Sequence, residues 1–485
     1  MAGSPGRIIG LETEFAIVSA HTVPMPPGTE NPIAPPEAVA ELYRGTPQEY
    51  RARNRFLPNG GRLYVDLGSH PEYATAECRS IHDVVAQDRA GESILRAMTE
   101  RANASLLERG VQARIHIVKN NRDALGATFG CHENYQVSRS TVDQLDPGLI
   151  AFMATRPILT GGGHVAQPED GPARFRLSTR APMIQNVTSP DPTKERPMIV
   201  TREEAHADAS KFARLQVIYG DSNVSDVTTA LKMGLTMAVL DYIEGGQSLA
   251  SLELQDPIAT LHDLEPDAHT TLADGRHYRA LDVLEAILER CEVFRASGRV
   301  DTELDHGIDG ALVLARRAID ALRTGDVSPV AGELDWVIKR SLIGSYVDRQ
   351  GKGWHDPLAK RVELAYHDLS AQHGLADKLR AAKIMSSYLT AADVENAVTT
   401  PPADTRAAVR GKFAAALEDC GMQGSLGWTH VRLDSPPRPQ IDLIDAFESH
   451  NPQVDDLVEE MRTSLPQFPG GRSGLGWLQL GLGAL

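Results

Sequence analysis

The sequence contains no run of about 18 apolar residues, and its first residues, MAGSPGRIIG, lack the long apolar stretch of a secretory signal. These two absences predict no membrane partner and a cytoplasmic location. Cysteine is also scarce, and no CxxC pair occurs among Cys78, Cys131, Cys291 and Cys420. Such scattered positions argue against a disulfide framework and against a zinc ribbon, so we expect buried free thiols.

Basic residues are outnumbered, because 49 lysines and arginines stand against 65 aspartates and glutamates, for a formal net charge of -16. Nonspecific nucleic-acid binding needs a basic surface, so we predict no nucleic-acid partner. One short stretch is locally basic, with Arg51, Arg53, Arg55 and Arg62. A solvated loop and a functional basic patch both remain open for that stretch.

Three common catalytic motifs are missing as well. The sequence has no GxxxxGK[ST] phosphate loop, no GxSxG elbow and no HExxH zinc helix. The glycine runs at 161–163 and 351–353 lack the flanking pattern of a nucleotide loop and are interpreted as turns. Any nucleotide site would therefore need another architecture.

What is present is a long chain with an α+β pattern. Its 485 residues, 41% of them hydrophobic, can bury a large core and form more than one domain. The first half alternates helical stretches with short β-like runs at 7–17, 62–66, 73–78, 114–118, 198–201 and 214–219. A helix is predicted at 81–108, and a mostly buried one at 225–244.

The predicted division into domains follows from the C-terminal part of the sequence. Helices dominate from about 281 to 389, and the pair Pro401-Pro402 then marks a break before another helix that ends at Gly421. We predict a catalytic domain over 1–400, a small C-terminal domain over 401–464 and a flexible, glycine-rich tail over 465–485.

Two segments near the N-terminus, GLETEF (10–15) and RLYVD (62–66), place polar side chains on one face of a predicted sheet. Since side chains alternate along a strand, Glu12 and Glu14 share a face. The same alternation applies to Arg62, Tyr64 and Asp66.

Like charges roughly 7 Å apart on a sheet face repel each other unless a cation lies between them. Mg²⁺ prefers oxygen ligands and commonly joins carboxylates to substrate phosphates, which suits Glu12, Glu14 and Glu72 with an arginine nearby. The alternative interpretation is that this is the solvent-exposed face of an ordinary amphipathic strand.

Six motifs occur in one order: GLETEF, NGGRLYVDLGSHPEYATAEC (59–78), KNN (119–121), GCHENY (130–135), HADA (206–209) and GDSN (220–223). Together they resemble the Pup ligase and depupylase family, from about residue 7 to residue 460. The resemblance implies a glutamine synthetase-like domain with a curved, mostly antiparallel sheet packed by helices, plus a small C-terminal domain.

The resemblance also implies roles for single residues. Metal-binding positions of the family match Glu12, Tyr64 and Glu72, with Glu14 as the second carboxylate of its ExE strand. Positions that contact ATP match Arg62, Thr75 and Trp428, and His206 is expected to line the ATP site. Asp66 matches the catalytic base. A histidine, tyrosine, threonine or tryptophan at such positions could instead be structural.

The reaction implied by the resemblance uses ATP and Mg²⁺ to join the C-terminal glutamate side chain of Pup, a small disordered protein modifier, to a lysine of a target protein. A γ-glutamyl phosphate is the expected intermediate. The depupylase branch uses the same site to cleave that bond or to deamidate Pup. This chain resembles the ligase branch more, because depupylases carry a long insertion between the ETE strand and the NGxRLY strand.

The chain departs from the family pattern near HADA. Ala205, Ala213 and Gln216 stand where the family usually has proline, arginine and histidine, and 184–196 also differs. These departures put the substrate specificity in doubt. They leave open a divergent carboxylate-amine ligase with another substrate and a noncatalytic Pup-binding protein.

Overall fold

The computed structural model describes residues 6–26, 28–44, 54–123, 126, 128–167, 171–202, 204–298 and 306–464. Arg51 and Arg53 of the basic stretch and the predicted tail at 465–485 lie outside the described residues. Within the described ranges, no helix is long and apolar enough to cross a bilayer.

The elements alternate between strand and helix in the first half of the chain and are mostly helical afterwards. The strands are β1 (Ile9–Glu14), β2 (Ala16–His21), β3 (Asn54–Phe56), β4 (Arg62–Asp66), β5 (His70–Ala74), β6 (Ala113–Val118), β7 (Cys131–Ser138), β8 (His164–Ala166), β9 (Arg174–Arg176), β10 (Asn186–Ser189), β11 (Pro197–Val200), β12 (Phe212–Val217), β13 (His269–Thr271), β14 (His277–Arg279), β15 (Gln423–Leu426), β16 (His430–Ser435) and β17 (Ile441–Asp442).

The helices are α1 (Pro35–Arg44), α2 (Ile81–Glu108), α3 (Arg139–Asp143), α4 (Pro147–Thr155), α5 (Pro157–Thr160), α6 (Asp226–Glu244), α7 (Pro257–His262), α8 (Ala280–Ala296), α9 (His306–Thr324), α10 (Asp335–Arg349), α11 (Pro357–His367), α12 (Ala376–Ala381), α13 (Ala391–Thr399), α14 (Arg406–Cys420) and α15 (Pro452–Thr463).

An eight-stranded sheet organises the large part of the chain, with the order β10-β11-β12-β7-β1-β5-β4-β3. All neighbours in it are antiparallel except β10 and β11. The helices α2 and α6 pack on one face of this sheet and leave the other face open. The open face is therefore the place where polar side chains can meet a ligand.

Local signals start the two central helices where the sequence predicts. The hydroxyl of Ser80 caps α2 by accepting the backbone N–H of Asp83 at 3.0 Å, and Ser225 caps α6 in the same way. Residues 226–240 of α6 are all buried. The predicted helices at 81–108 and 225–244 are confirmed.

The C-terminal module consists of α14, β15–β17 and α15, and it has an apolar core of its own that includes Phe413, Val431 and Leu457. Helix α14 ends as predicted, because Gly421 takes the left-handed conformation that favours glycine (φ 61°). The domain boundary between residues 400 and 401 stays a prediction.

Helix α2 carries a glycine where it crosses β5, and this contact tests how tightly the core is packed. A methyl group on Gly91 would lie 2.3 Å from Cδ1 of Tyr73. The Tyr73 hydroxyl is held by Asn59 at 2.8 Å and by Gln87 at 3.0 Å, so the ring cannot move aside without losing these bonds.

We expect Gly91→Ala to lower the free energy of unfolding by about 1–3 kcal/mol, because overpacking outweighs the gain in helix propensity. Gly310→Ala in α9 is the matched control, since nothing lies within 4 Å of its added methyl group. Denaturant unfolding followed by circular dichroism measures both. Equal stability of the two variants would contradict the packing described for α2 and β5.

Candidate active site

Strand pairing brings the acidic side chains of β1, β4 and β5 onto the open face of the sheet. Glu72 lies directly opposite both Glu14 and Tyr64, and directly opposed residues of antiparallel strands share a face. Thr13 points the other way and donates its hydroxyl to Asp88 of α2 at 2.8 Å. The polar wall predicted from the alternation is thus present, and it is not an ordinary solvent-exposed face.

Two groups of potential ligand atoms lie on this wall. One consists of Glu12, Glu72 and His132, the other of Glu14, Asp66 and Glu72, and within each group the atoms are no more than 4.8 Å apart. Glu72 belongs to both groups and is 2% exposed. The structure thereby brings together four of the predicted acidic residues, with Asp66 at the exposed edge.

The crowding perturbs the ionisation of Glu72. Burial, together with the nearby charges of Glu12 and Glu14, raises the pKa of Glu72 to about 8, although His132 and Tyr64 act in the opposite direction. The same surroundings raise the pKa of the Tyr64 phenol, so this hydroxyl stays neutral at physiological pH. A divalent cation between these oxygens would relieve the repulsion.

Glu12 stays ionised because it has polar partners on β7 and β12. Burial alone would raise its pKa, but the bond from His132 at 3.2 Å and the charge of Arg214 lower it. Asn134 donates to the other oxygen at 3.2 Å, and Gln216 approaches within 3.4 Å. Glu12 is therefore held as a fixed carboxylate.

His132 contacts two of these carboxylates, with ring nitrogens 3.2 Å from Glu12 and 3.8 Å from Glu14. Burial opposes its protonation, but the hydrogen bond with Glu12 and the charges of Glu14 and Glu72 raise its pKa. Glu14 is fixed from the side as well, because the backbone N–H of Gly130 donates to its Oε1 at 2.9 Å.

Arg62 lies on the same face as Glu12, two strands away, with Ala74 of β5 between them. Its guanidinium stacks over the ring of Tyr64 at 4.6 Å and donates to Asn54 Oδ1 at 2.9 Å. A stacked guanidinium keeps further N–H donors for an anion such as phosphate.

A pocket opens beside the carboxylates, between the sheet and the C-terminal module. Its lining includes Glu12, Thr75, Glu77, His206, Arg214, Arg406 and Trp428. Thr75 is buried, and its hydroxyl accepts the Leu11 N–H at 3.0 Å while its own proton can still be donated. The predicted residues Thr75, His206 and Trp428 thus line one cavity.

The indole of Trp428 forms one wall of this pocket. Its ring lies 6.4 Å from that of His206 and meets Phe56 edge to face at 4.8 Å. Arg410 packs over the indole at 4.9 Å. Burial and the charge of Arg214 lower the pKa of His206, which favours its neutral form.

A buried ion-pair group fastens the C-terminal module to the sheet beside the pocket. Glu77 binds Arg406 at 2.8 Å and also pairs with Arg410, and all three side chains are less than 9% exposed. Burial opposes ionisation, but the two arginines outweigh it and lower the pKa of Glu77 to about 2. Arg410 also donates to the Gly60 carbonyl at 2.9 Å.

Sequence reasoning missed the contribution of β7 and β12. The sequence patterns assign no role in the site to His132, Asn134 or Arg214. Alternation along HENYQ would have placed His132 and Asn134 on one face, but the opposite face carries the charged Glu133, which hides the pattern of a half-buried strand. Glu133 is buried because Arg156 binds it at 2.7 Å.

The three residues that depart from the family pattern lie at different distances from the site. Gln216 reaches Glu12, and Ala205 lines the pocket. Ala213 packs against the apolar core on the helix-covered face, so it cannot contact a ligand on the open face.

Comparisons with known proteins agree over nearly the whole chain. A family model described as Pup-ligase protein matches residues 7–432. The Pup–protein ligase of Kocuria rhizophila is 40% identical over 471 residues, which cover 94% of this chain and 98% of that protein. The Pup–protein ligase of Mycolicibacterium smegmatis is 37% identical over 460 residues, covering 94% and 99%.

Two solved structures share the fold. The complex between the prokaryotic ubiquitin-like protein Pup and its ligase PafA matches with a TM-score of 0.88 and 33% identity, covering 95% of this chain and 93% of that chain. PafA in complex with ADP matches with a TM-score of 0.81 and 33% identity, covering 92% and 97%. The predicted α+β, glutamine synthetase-like fold class is confirmed.

The Glu77 group predicts a large, pH-dependent loss of stability in Glu77→Gln. Removing the charge leaves two buried guanidiniums without a counter-ion, which should cost about 3 kcal/mol near neutral pH. Since the folded pKa of about 2 lies below the unfolded value of 4.5, this difference should be complete above about pH 4.5 and should fade as the pH drops towards 2.

Glu460→Gln is the matched control, because Glu460 pairs with Arg438 on the exposed surface of the same module. Such exposed pairs contribute little, so its unfolding curve should coincide with that of the wild type. Urea unfolding across the pH range measures both variants. A Glu77→Gln protein as stable as the control would show that the buried pairs do not hold the module.

Proposed function

The chain belongs to the Pup-ligase family, and on that premise we propose that it uses ATP to join the C-terminal glutamate side chain of Pup to lysines of target proteins. The observation that carries the proposal is the convergence of Glu12, Glu14, Asp66 and Glu72 on one sheet face beside a pocket walled by Trp428. The fold that this chain shares with Pup-bound and ADP-bound PafA supports the same reaction.

The reaction needs ATP because a carboxylate does not react with an amine in water. Transfer of the γ-phosphoryl group to the glutamate side chain gives a γ-glutamyl phosphate with a good leaving group. The lysine nitrogen then attacks the acyl carbon, an isopeptide bond forms and inorganic phosphate leaves. ADP is the other product.

The nucleotide binds in the pocket between the sheet and the C-terminal module. We assign its base to the walls formed by Trp428 and His206, where stacking on an aromatic ring is available. Thr75 donates its hydroxyl proton, and Arg62 directs its stacked guanidinium at the phosphates.

The residues on the sheet face fit Mg²⁺. The donors are carboxylate and phenol oxygens, which hard cations prefer, and burial beside Glu12 and Glu14 raises the pKa of Glu72, an effect that a bound cation would offset. We assign the metal to Glu12, Tyr64 and Glu72, with Glu14 as an adjacent ligand. When bound, the metal neutralises charge on the transferring phosphoryl group.

Asp66 takes the proton of the incoming lysine. It lies at the exposed end of β4, within 4.8 Å of Glu14 and Glu72, so an amine arriving from solvent meets it next to the acyl phosphate. Loss of the proton becomes easier as positive charge grows on the attacking nitrogen.

The names of the relatives support the ligase over the depupylase. A cytoplasmic location fits the four free thiols, which belong in a reducing compartment. Ala205 lines the pocket and Gln216 approaches Glu12, so we assign these two departures to small changes on the nucleotide side of the site rather than to a different substrate.

The proposal is tested by incubating the protein with ATP, Mg²⁺, Pup ending in glutamate and a lysine-bearing target. We expect a covalent conjugate, and we expect Asp66→Asn to lower its rate by about 100-fold or more with ATP affinity retained. Gel electrophoresis measures the rate of conjugate formation, and calorimetry measures the affinity for ATP. Release of Pup from a ready-made conjugate, without any ligation, would identify a depupylase instead.

The metal assignment predicts a pH-dependent affinity. Below about pH 8 the metal must displace the proton of Glu72, so Mg²⁺ affinity should rise with pH up to about 8 and then level off. Calorimetry near pH 7 in two buffers of different ionisation enthalpy should detect proton release. The Glu72→Gln variant should bind Mg²⁺ more weakly and release fewer protons on binding. If its proton release equals that of the wild type, Glu72 is not a ligand of the metal.

A further inference from the structure

The hairpin that carries Asp66 has little packing at its tip. Asp66 ends β4 and His70 begins β5 directly opposite it, with a three-residue turn between them. Leu67 in this turn is 78% exposed. Gly68 and Ser69 both have positive φ angles, 81° and 66°, and serine adopts that region only under constraint. The turn therefore needs an anchor elsewhere.

The side chain of His70 supplies contacts on both sides of the hairpin tip. Its ring stacks on Phe129 with a centroid distance of 4.4 Å and an angle of 27°. Its Nδ1 lies 3.3 Å from the carbonyl oxygen of Phe15. On the other side, a methyl group on Gly68 would be only 3.0 Å from the ring. The imidazole is held between the turn and Phe129.

Phe129 is itself fixed, and its segment also positions Glu14. The phenyl ring is 3% exposed, and Asn121 donates to the Phe129 carbonyl at 3.1 Å. The next residue, Gly130, donates its N–H to Glu14. Gly130 thus positions the carboxylate of Glu14 directly. Its neighbour Phe129 holds the hairpin that carries Asp66 by stacking on His70.

We propose that His70 is a positioning residue for Asp66, which holds the hairpin tip so that the carboxylate meets the incoming lysine nitrogen. The stacked ring is the main anchor and the bond to Phe15 the lesser one. This inference rests on the proposed function, in which Asp66 accepts the lysine proton. His70 itself transfers no proton to or from the substrates.

The test compares two acceptors in the full-length protein with ATP, Mg²⁺ and Pup ending in glutamate. A lysine-bearing target needs the base, whereas hydroxylamine is largely unprotonated near neutral pH and reports acyl phosphate formation alone. We expect His70→Ala to lower kcat for lysine by about 10- to 100-fold, because a displacement of about 1 Å costs that much. Hydroxamate formation and nucleotide affinity should be unchanged.

Two conservative variants separate the contacts. His70→Phe keeps the stack on Phe129 and should restore most of the lysine rate with the wild-type pH profile. His70→Asn keeps a donor near the Nδ1 position and should remain close to His70→Ala. An altered pH profile in an otherwise active His70→Phe would mean that His70 acts as an acid or base, which overturns the proposal.

Non-additivity gives the last criterion. In an Asp66→Asn background, His70→Ala should cause no further loss with lysine, because both changes remove the same step. A further loss, or equal losses with lysine and hydroxylamine, overturns the positioning role. His277→Ala, a histidine in the distant β13–β14 hairpin, should match the wild type. A wild type that forms neither product would refute the proposed function itself, which separates the two failures.

Discussion

Mutual repulsion of carboxylates on one sheet face is the constraint around which this molecule is built. Glu12, Glu14 and Glu72 lie close together in a partly buried place, where like charges would normally neutralise or separate. The fold holds them by means of backbone pairing rather than attraction, since the three side chains come from adjacent strands in fixed register. A cation bound between these oxygens would relieve the repulsion.

Hydrogen bonds and ion pairs on the helix-covered side of the sheet help to hold the strands that carry these carboxylates. Thr13 ties β1 to Asp88 of α2, and Lys119 binds Asp88 at 2.6 Å and Glu92 at 2.8 Å on the helix side. Glu133, on the inner face of β7, is neutralised by Arg156. These buried carboxylates behind the sheet are each paired with a cation, whereas the carboxylates of the open face crowd one another.

Much of the site could be predicted from local pattern, and the reason is geometric. Alternation along a strand decides which side chains share a face, so Glu12, Glu14, Tyr64 and Asp66 followed from the sequence. The helices 81–108 and 225–244 followed from caps and periodicity. Strand β5 begins three residues before the predicted run at 73–78, because the turn is only three residues long (67–69) and places Ser69 at a positive φ angle that a serine does not signal.

Contacts between distant parts of the chain could not be predicted in this way. Glu77 pairs with Arg406 and Arg410, which lie more than 300 residues further along the chain, and no local sequence pattern in either segment predicts this contact. The place of Trp428 in the pocket followed from family resemblance, not from its own surroundings. The partners of Glu12 on β7 were hidden because that strand buries a charge.

The ion pairs of Glu77 attach the C-terminal module to the sheet at the edge of the pocket, so they also affect ligand binding. Trp428 belongs to a module with a separate core, whereas Thr75 belongs to the sheet, so a molecule that touches both bridges two independently packed bodies. Occupancy of the pocket and attachment of the module are then thermodynamically linked, and each must favour the other by the same amount. Loosening the junction would therefore also weaken the binding of a nucleotide in this pocket, which Glu77 and Arg406 help to line.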